Sequence, residues 1–305
     1  MSLRIGLNGG GGHDHIDDAI AHARGAGEDG FSSYWLSQIV GVDALTTFAL
    51  IAREVPDLEL GVAVVPTYPR HPTALAVQAQ TVQQAAGGRL ILGIGPSHAR
   101  AVESLWGLDW SRPYSHTAEY FDILRKLLDG ETVAHQGELL TTRGQLTATA
   151  PRTPILVAGL GPRMLALAGG KADGTVTWMC GRQTLREHIV PRVNQAAEAA
   201  GREPPRIVAG LPFCVTDDPE RARTHAAEKL AIYGSLPSYR AMLDREGAKG
   251  PADICVIGDE KQVGEALDDL EDMGITDLRA TELEPTPEDR ERTRALLRNR
   301  ADAGR

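Results

Sequence analysis

The feature that most constrains this chain is a pair of apolar segments separated by a helix-like stretch, at residues 58–98. Residues 58–65 and 89–94 are largely aliphatic and β-branched, a pattern typical of strands buried on both faces. Between them, apolar residues recur at helical spacing from Pro72 until a pair of glycines ends the pattern. This stretch therefore predicts a strand–helix–strand unit with two neighbouring parallel strands.

The same alternation runs through the whole chain. Apolar segments begin near residues 3, 31, 58, 89, 155, 174, 207 and 277, and each is followed by a stretch with helical periodicity. Eight strand–helix repeats in 305 residues predict an α/β fold, a (β/α)8 TIM barrel with insertions, in a single domain over residues 1–305. Residues 132–146 alternate like a hairpin and are one expected insertion. A doubly wound open sheet is the alternative architecture.

Composition argues against several classes of protein. The net charge of −9 leaves no general basic surface for nucleic acid, and no apolar run has the length of a membrane span. The first residues lead straight into a strand without the architecture of a signal peptide. The three cysteines are too widely spaced for a disulfide framework or a zinc knuckle. We therefore expect a cytoplasmic protein that acts on a small molecule, with no nucleic-acid or membrane partner.

The segment His13-Asp14-His15 imitates the His-x-His pair with which some barrel hydrolases bind a metal. A metal site needs further ligands from other strand ends. The fifth and sixth predicted strands end at residues 157–159 and 177–179 without a histidine or a carboxylate. We interpret the pair as the start of a helix and expect no metal.

The segment Gly159-Leu160-Gly161-Pro162-Arg163 joins a predicted strand to a helix. Ligands of parallel α/β folds bind at the carboxyl ends of the strands. Glycines let the backbone approach a ligand, and the free N–H groups of a helix start suit a phosphate, as does an arginine. A lone Gly-x-Gly is also common in ordinary tight turns, so anion binding and a purely structural role are equally supported by these residues.

A histidine and three tryptophans are further candidates for the site. His98 follows the end of the fourth predicted strand, where it is a candidate proton donor or substrate ligand, with an ordinary surface histidine as the alternative. Trp106, Trp110 and Trp178 are candidates for the walls of an aromatic pocket, although core packing would use the same residues.

Residues 61–72 (GVAVVPTYPRHP), followed after a helix by residues 88–95 (GRLILGIG), resemble the luciferase-like monooxygenase superfamily. The resemblance is closer to the branch of oxidoreductases that use coenzyme F420, an 8-hydroxy-5-deazaflavin. It implies a (β/α)8 barrel, in agreement with the strand count. It also implies an F420-dependent oxidoreductase that transfers hydride between the deazaflavin and an unidentified small organic substrate, and a homodimer, because relatives form one.

The resemblance assigns roles to particular residues. It places a non-proline cis peptide bond at or next to Ala63-Val64, behind the ring of the cofactor, with Ser37 and Gln38 beside the ring. The resemblance also places Gly95, Ser97 and His98 near the reactive face, and it places the phosphate-binding turn at Ala158, Gly159, Leu160, Gly161, Pro162, Arg163 and Met164. We predict in addition that His98 is the proton donor and that Tyr68 and Trp178 contact the substrate.

The sequence departs from the sugar-phosphate dehydrogenases of this branch. Those enzymes have an Asp-His pair after the second strand and a glutamate after the fourth, where this chain has Ser37-Gln38 and His98. A reductase that acts on another acceptor therefore fits better. Two alternatives stay open, an FMN-dependent monooxygenase that uses oxygen with a partner flavin reductase, and a non-catalytic flavin-binding protein. The cations Arg163, Arg182 and Arg186 favour F420, whose anionic tail is the longer.

Overall fold

The computed structural model of the protein describes residues 2–10, 13–38 and 40–303. Contacts within the chain divide it into two compact units, each built from separate segments. The first unit comprises Met1–Asn8, Glu28–Tyr34 and Gly159–Arg305, and the second comprises Gly9–Gly27 and Trp35–Ala158. The organisation of residues 1–305 as one domain stays a prediction.

Strands and helices alternate along the chain. The strands are β1 (Arg4–Gly10), β2 (Ser33–Leu36), β3 (Glu59–Pro66), β4 (Leu90–Gly95), β5 (Val133–Gln136), β6 (Thr141–Gly144), β7 (Ile155–Val157), β8 (Gly174–Val176), β9 (Arg206–Val215), β10 (Val256–Gly258) and β11 (Asp277–Glu282). The α-helices are α1 (Ile16–Glu28), α2 (Ala44–Glu54), α3 (Pro72–Ala85), α4 (Pro113–Leu128), α5 (Pro162–Gly170), α6 (Arg182–Thr184), α7 (Val190–Ala199), α8 (Pro219–Lys229), α9 (Pro237–Glu246), α10 (Glu260–Asp272) and α11 (Pro287–Ala303). Two π-helical turns, Ala101–Leu105 and Leu185–Ile189, interrupt this pattern.

In the second unit, β3, β4 and β7 are neighbouring parallel strands, as the strand–helix–strand pattern predicts. The carboxylate of Asp43 accepts a hydrogen bond from the N–H of Thr46 and caps the start of α2. Large side chains fill the core of this unit, and Trp35, Phe48 and Tyr120 are fully buried.

The hairpin predicted over residues 132–146 is also in the second unit. Its strands β5 and β6 pair antiparallel. The carboxylate of Glu119, on α4, accepts hydrogen bonds from three successive backbone N–H groups of the connecting turn, those of Glu138, Leu139 and Leu140. These bonds fasten the hairpin to α4.

In the first unit, β9 is the central strand. It pairs in parallel with β8, β10 and β11, and β11 pairs in parallel with β1. A buried ion pair joins the beginnings of β9 and β11, where the guanidinium of Arg206 donates to both carboxylate oxygens of Asp277 at 2.8 and 2.5 Å. The side chain of Asp277 is 1% exposed and that of Arg206 is 17% exposed. This pair lies at the end of the strands opposite to the one at which parallel α/β proteins bind ligands.

Candidate functional site

The first group of predicted site residues lies in the second unit, where β3 is bulged. The pairing of β3 with β4 shifts register between Val62 and Val65. Within this bulge, the bond Ala63–Val64 is a non-proline cis peptide, at the position that the resemblance predicts. A Cβ atom added to Gly95 would lie 3.0 Å from Cγ2 of Val64 and 3.3 Å from Cβ of Ala158. The structure thus brings Val64, Gly95 and Ala158 together, and the absence of a side chain on Gly95 leaves apolar groups on either side of it.

The residues after β4 have an unusual backbone. Ser97 has a φ of +67°, in the left-handed region that non-glycine residues rarely adopt. The carbonyl of His98 accepts hydrogen bonds from the N–H groups of Ala101 and Val102, which begin the π-helical turn Ala101–Leu105. Partial burial lowers the pKa of His98, so its imidazole is neutral at neutral pH. The role of His98 as proton donor stays a prediction.

The side chain of Gln38 is held by the start of α2. Its amide oxygen accepts a hydrogen bond from the N–H of Ala44 at 2.7 Å. Beside it, the carboxylate of Asp43 accepts hydrogen bonds from Arg70 and from Nε2 of Gln78. The oxygen of Gln38 is therefore occupied within the protein, and the amide N–H groups are the part of this side chain suited to a ligand.

Tyr68, predicted to contact the substrate, belongs to an aromatic cluster. Its ring stacks on His116 with centroids 4.0 Å apart and lies 5.4 Å from the ring of Trp110. Burial lowers the pKa of His116, and this effect outweighs its hydrogen bond to the backbone of Thr67. The sequence analysis missed His116, which lies in the first turn of α4. The sequence pattern predicts a helix over residues 117–128, but the helix begins earlier, at Pro113, since a proline at the first position needs no N–H donor.

The second group, the predicted phosphate-binding turn, lies in the first unit. A Cβ atom added to Gly159 would lie 2.2 Å from Cβ of Met164, so the close approach of turn and helix requires glycine there. Gly161 differs, because a Cβ atom at that position would meet no atom within 4 Å. Gly161 is also the cap residue of α5 and has no side chain with which to bond the first N–H groups of the helix. With Pro162 and Arg163 exposed, this helix start presents backbone donors and the positive end of the helix dipole to an anion.

A histidine that the sequence analysis did not single out holds the same turn. His188, in the π-helical turn Leu185–Ile189, is 1% exposed. Its Nε2 lies 2.8 Å from the carbonyl oxygen of Leu160. The only hint in the sequence is a histidine among apolar residues of a predicted helix, a pattern that more often reflects core packing.

The start of α6 is filled by the protein itself. The carboxylate of Glu246, at the end of α9, accepts hydrogen bonds from the N–H of Gln183 at 3.0 Å and from the N–H of Thr184 at 2.7 Å. A Cβ atom on Gly181 would clash with this carboxylate at 2.1 Å.

Two of the arginines proposed to favour the long anionic tail of F420, Arg182 and Arg186, have partners within the protein. Arg182 and Arg186 both form ion pairs with Asp269 on α10. Both guanidiniums thus have a partner within the protein, although the two positive charges share a single carboxylate.

Trp178 follows β8 and lies in a second aromatic cluster. The guanidinium of Arg279 lies 4.9 Å from the centroid of its ring, and Tyr233 contacts the ring edge-on at 5.9 Å. Arg279 is 3% exposed and donates a hydrogen bond to Oδ1 of Asn8 at 3.1 Å. Burial lowers the pKa of Arg279 to about 10. The sequence signal for this residue was a charged side chain between Leu278 and Ala280 in a predicted strand.

The part of the chain that the structure describes contains neither a metal cluster nor a membrane-spanning helix. Within residues 2–10, 13–38 and 40–303, no group of three or more His, Cys, Asp or Glu side chains is arranged to hold a metal ion. Over the same part of the chain, no helix has both the length and the apolar character of a membrane span.

These observations define an α/β protein with parallel strands. The loops that follow the strands carry polar and aromatic side chains suited to a ligand, as is usual in such folds. The sequence model of the luciferase-like monooxygenases matches residues 2–277, and the chain belongs to this family. The resemblance inferred from residues 61–72 and 88–95 is thereby confirmed.

Similar proteins include enzymes of both cofactor types. The 5,10-methylenetetrahydromethanopterin reductase of Methanolobus tindarius is 28% identical over 216 residues, which cover 70% of this chain and 66% of the reductase, slightly less than two thirds of its length. The coenzyme F420-dependent tetrahydromethanopterin reductase of Methanopyrus kandleri is 20% identical and superposes with a TM-score of 0.83 over 99% of both chains. The oxygenating constituent of 3,6-diketocamphane monooxygenase from Pseudomonas putida, in complex with FMN, is 18% identical, with a TM-score of 0.78 over 99% of this chain and 98% of that one.

The likeness to these solved structures shows the fold. It confirms the predicted (β/α)8 barrel of the luciferase-like type, and the doubly wound alternative is wrong. Two of these similar proteins are named as reductases, one of them F420-dependent, and the third is named as part of a monooxygenase in complex with FMN.

Proposed function

We propose that this protein is an F420-dependent oxidoreductase that transfers hydride between the deazaflavin and an unidentified small organic substrate. The observation that carries the proposal is the start of α5, where Gly161 has no side chain to cap the helix and leaves open space beside its N-terminus. Such a site fits the phosphate that F420 and FMN share. The choice of F420 is supported by the reductases among the similar proteins.

The residues present fit a flat ring system as well as a phosphate. The bulge of β3 brings Val64 close to Gly95, where the missing side chain lets apolar groups approach the strand backbone. The resemblance assigns the ring to these residues. Reduced F420 supplies a hydride when bound, and the protein then has to orient the substrate and manage a proton.

We propose that a histidine after one strand supplies the proton and that aromatic side chains after other strands contact the substrate. We assign the proton to His98, which is half-buried and one turn from the end of β4. Tyr68 and Trp178 are the proposed substrate contacts, because each lies in an aromatic cluster after a strand. An aromatic cluster of this kind suits an apolar or planar organic substrate.

An FMN-dependent monooxygenase is the second candidate, favoured by the likeness to the diketocamphane enzyme. It would need oxygen and a partner flavin reductase. A non-catalytic flavin-binding protein is the third, and it predicts tight binding without turnover.

A side-by-side equilibrium dialysis of the purified protein against F420 and FMN separates these candidates. We expect tighter binding of F420, followed by oxidation of reduced F420 when a suitable acceptor is added. Preference for FMN, with oxygen consumption in the presence of a flavin reductase, would support the monooxygenase instead. Binding without turnover under either set of conditions would support the non-catalytic protein, and binding of neither ligand would contradict the phosphate site.

We also propose that the protein is a single-domain, cytoplasmic homodimer without nucleic-acid or membrane partners. The homodimer rests on the family resemblance alone. Light scattering coupled to size-exclusion chromatography measures the mass directly, and a monomer of about 33 kDa would contradict the proposal.

A further inference from the structure

The feature behind this inference is the hydrogen bond between His188 and the carbonyl of Leu160. The oxygen is an acceptor, so Nε2 of His188 carries the proton and donates it across 2.8 Å. The other ring nitrogen, Nδ1, is buried and has no hydrogen-bond partner among the described residues. Burial, together with the charges of Arg245 and Arg192, lowers the pKa of His188 and outweighs the bond to Leu160. The imidazole is therefore neutral, with its single proton on Nε2.

This bond fixes the direction of a neighbouring N–H group. The carbonyl of Leu160 and the N–H of Gly161 belong to one planar peptide unit, in which a trans bond points them in opposite directions. Because the carbonyl points at buried His188, the N–H of Gly161 points away from it. Gly161 is exposed, with open space where a side chain would lie.

A hydrogen bond is needed to fix the orientation of the Leu160–Gly161 peptide, because glycine would allow this peptide to flip. Gly161 has a φ of −82°, but glycine adopts positive φ at little cost, so its own backbone does not select one orientation. The reversed peptide would present the carbonyl oxygen of Leu160, which repels an anion, in place of the N–H. The hydrogen bond from His188 favours the orientation that an anion requires.

The position of His188 is itself fixed by close helix packing. His188 lies in the π-helical turn that leads into α7, and α7 packs directly against α5. A Cβ atom on Gly169 of α5 would lie 2.1 Å from the carbonyl oxygen of Val193 of α7. His188, before α7, and the turn before α5 are thus positioned by two helices in close contact.

We propose that His188 is a positioning residue that directs the N–H of Gly161 toward the phosphate group of the bound cofactor. The inference rests on the proposed function, since it concerns the phosphate site of the same cofactor. It extends that function from the turn itself to a buried residue 28 positions along the chain.

The test compares ligands with and without phosphate. Equilibrium dialysis would measure the affinity of the wild type and three variants for FMN and riboflavin, and for F420 and its phosphate-free deazaflavin riboside. His188→Leu removes the donor, His188→Asn keeps a polar side chain that is too short to reach Leu160, and His188→Gln places an amide N–H near the position of Nε2. Thermal melting would be recorded for each protein.

We expect His188→Leu and His188→Asn to bind the phosphorylated ligand of the preferred pair about tenfold to a hundredfold more weakly, the range for a hydrogen bond to a charged group. Their affinity for the phosphate-free partner should be unchanged, and His188→Gln should restore most of the loss. If His188→Leu does not fold, His188→Asn and His188→Gln still provide the comparison.

Three results would overturn the inference. Unchanged affinity in His188→Asn would remove the residue from the site. An equal loss for both ligands of a pair would mean that His188 is merely structural. A wild-type protein that does not distinguish the phosphorylated ligand from its partner would contradict the proposed function and the inference together, whereas a discriminating wild type with unaffected variants would contradict the inference alone.

Discussion

The two glycines of the turn before α5 offer a matched pair of substitutions with opposite expected effects. A side chain at Gly161 meets no atom within 4 Å, and its backbone angles of −82° and 155° are extended and open to any residue. A side chain at Gly159 would be forced to within 2.2 Å of Cβ of Met164. We therefore expect Gly161→Val to impair binding with little effect on stability, and Gly159→Val to destabilise the fold.

The magnitudes follow from these contacts. Gly161→Val should change the free energy of unfolding by about 0.5 kcal/mol or less, as for other exposed positions without strain. Gly159→Val should cost about 1–3 kcal/mol, because it overpacks a close contact between turn and helix. For cofactor binding, the valine at position 161 would obstruct the approach of the phosphate to the backbone. The loss of one charge-assisted hydrogen bond, about 1.5–3 kcal/mol, corresponds to a roughly tenfold to hundredfold weaker affinity.

Urea denaturation of the two variants measures the first quantity and equilibrium dialysis against the preferred cofactor measures the second. The reasoning would be refuted if Gly161→Val lost stability and affinity in proportion, since the glycine would then be structural. Wild-type affinity in Gly161→Val would equally refute it, because the open space at this position would not face the ligand.

Three further predictions concern other parts of the molecule. Asp277→Asn should lower the free energy of unfolding by about 3 kcal/mol in urea denaturation, because it leaves a partly buried guanidinium unpaired; the exposed Lys261→Ala is the control, and equal effects would contradict the prediction. If His98 is the proton donor, the rate of substrate reduction should fall as pH rises through its lowered pKa, and His98→Asn should remove this dependence while binding of the cofactor is kept; an unchanged pH profile would exclude the role. Glu119→Ala should release the hairpin β5–β6 and speed limited proteolysis at its turn severalfold, whereas Glu138→Gln should not, and resistance of the Glu119 variant would show that the hairpin is held otherwise.

Much of the fold could be predicted because hydrophobic periodicity and turn residues agree in this chain. Each of the eight predicted strands is present within two residues of its expected start. The three-residue strand β10 was missed, although β7 and β8, of the same length, were predicted. The early start of α4 was also missed, although proline, here Pro113, is common in the first turn of a helix.

The site was predictable only where glycine and proline mark the backbone. The turn around Gly159 and the bulge at Ala63-Val64 are visible in the sequence as local motifs or through family resemblance. His188 and Arg279 were not, because their roles depend on neighbours far away in the chain. His188 contacts a residue 28 positions earlier, and Arg279 contacts Asn8 across 271 positions. Such contacts are a property of the packed molecule rather than of any sequence window.

The carboxylate of Glu246 at the start of α6 has a consequence for ligand discrimination. Helix starts attract anions of any kind, so a protein rich in parallel helices is exposed to non-productive binding of its own charged ligand. The carboxylate of Glu246 already occupies the N–H groups of Gln183 and Thr184, so an external anion would have to displace it to bind at the start of α6. A phosphate that approached α6 would meet a charge of the same sign, whereas Gly161 at the start of α5 has no side chain that could cap the helix. For a long anionic ligand such as the proposed cofactor, the position of the phosphate would then depend on this difference between the two helix starts.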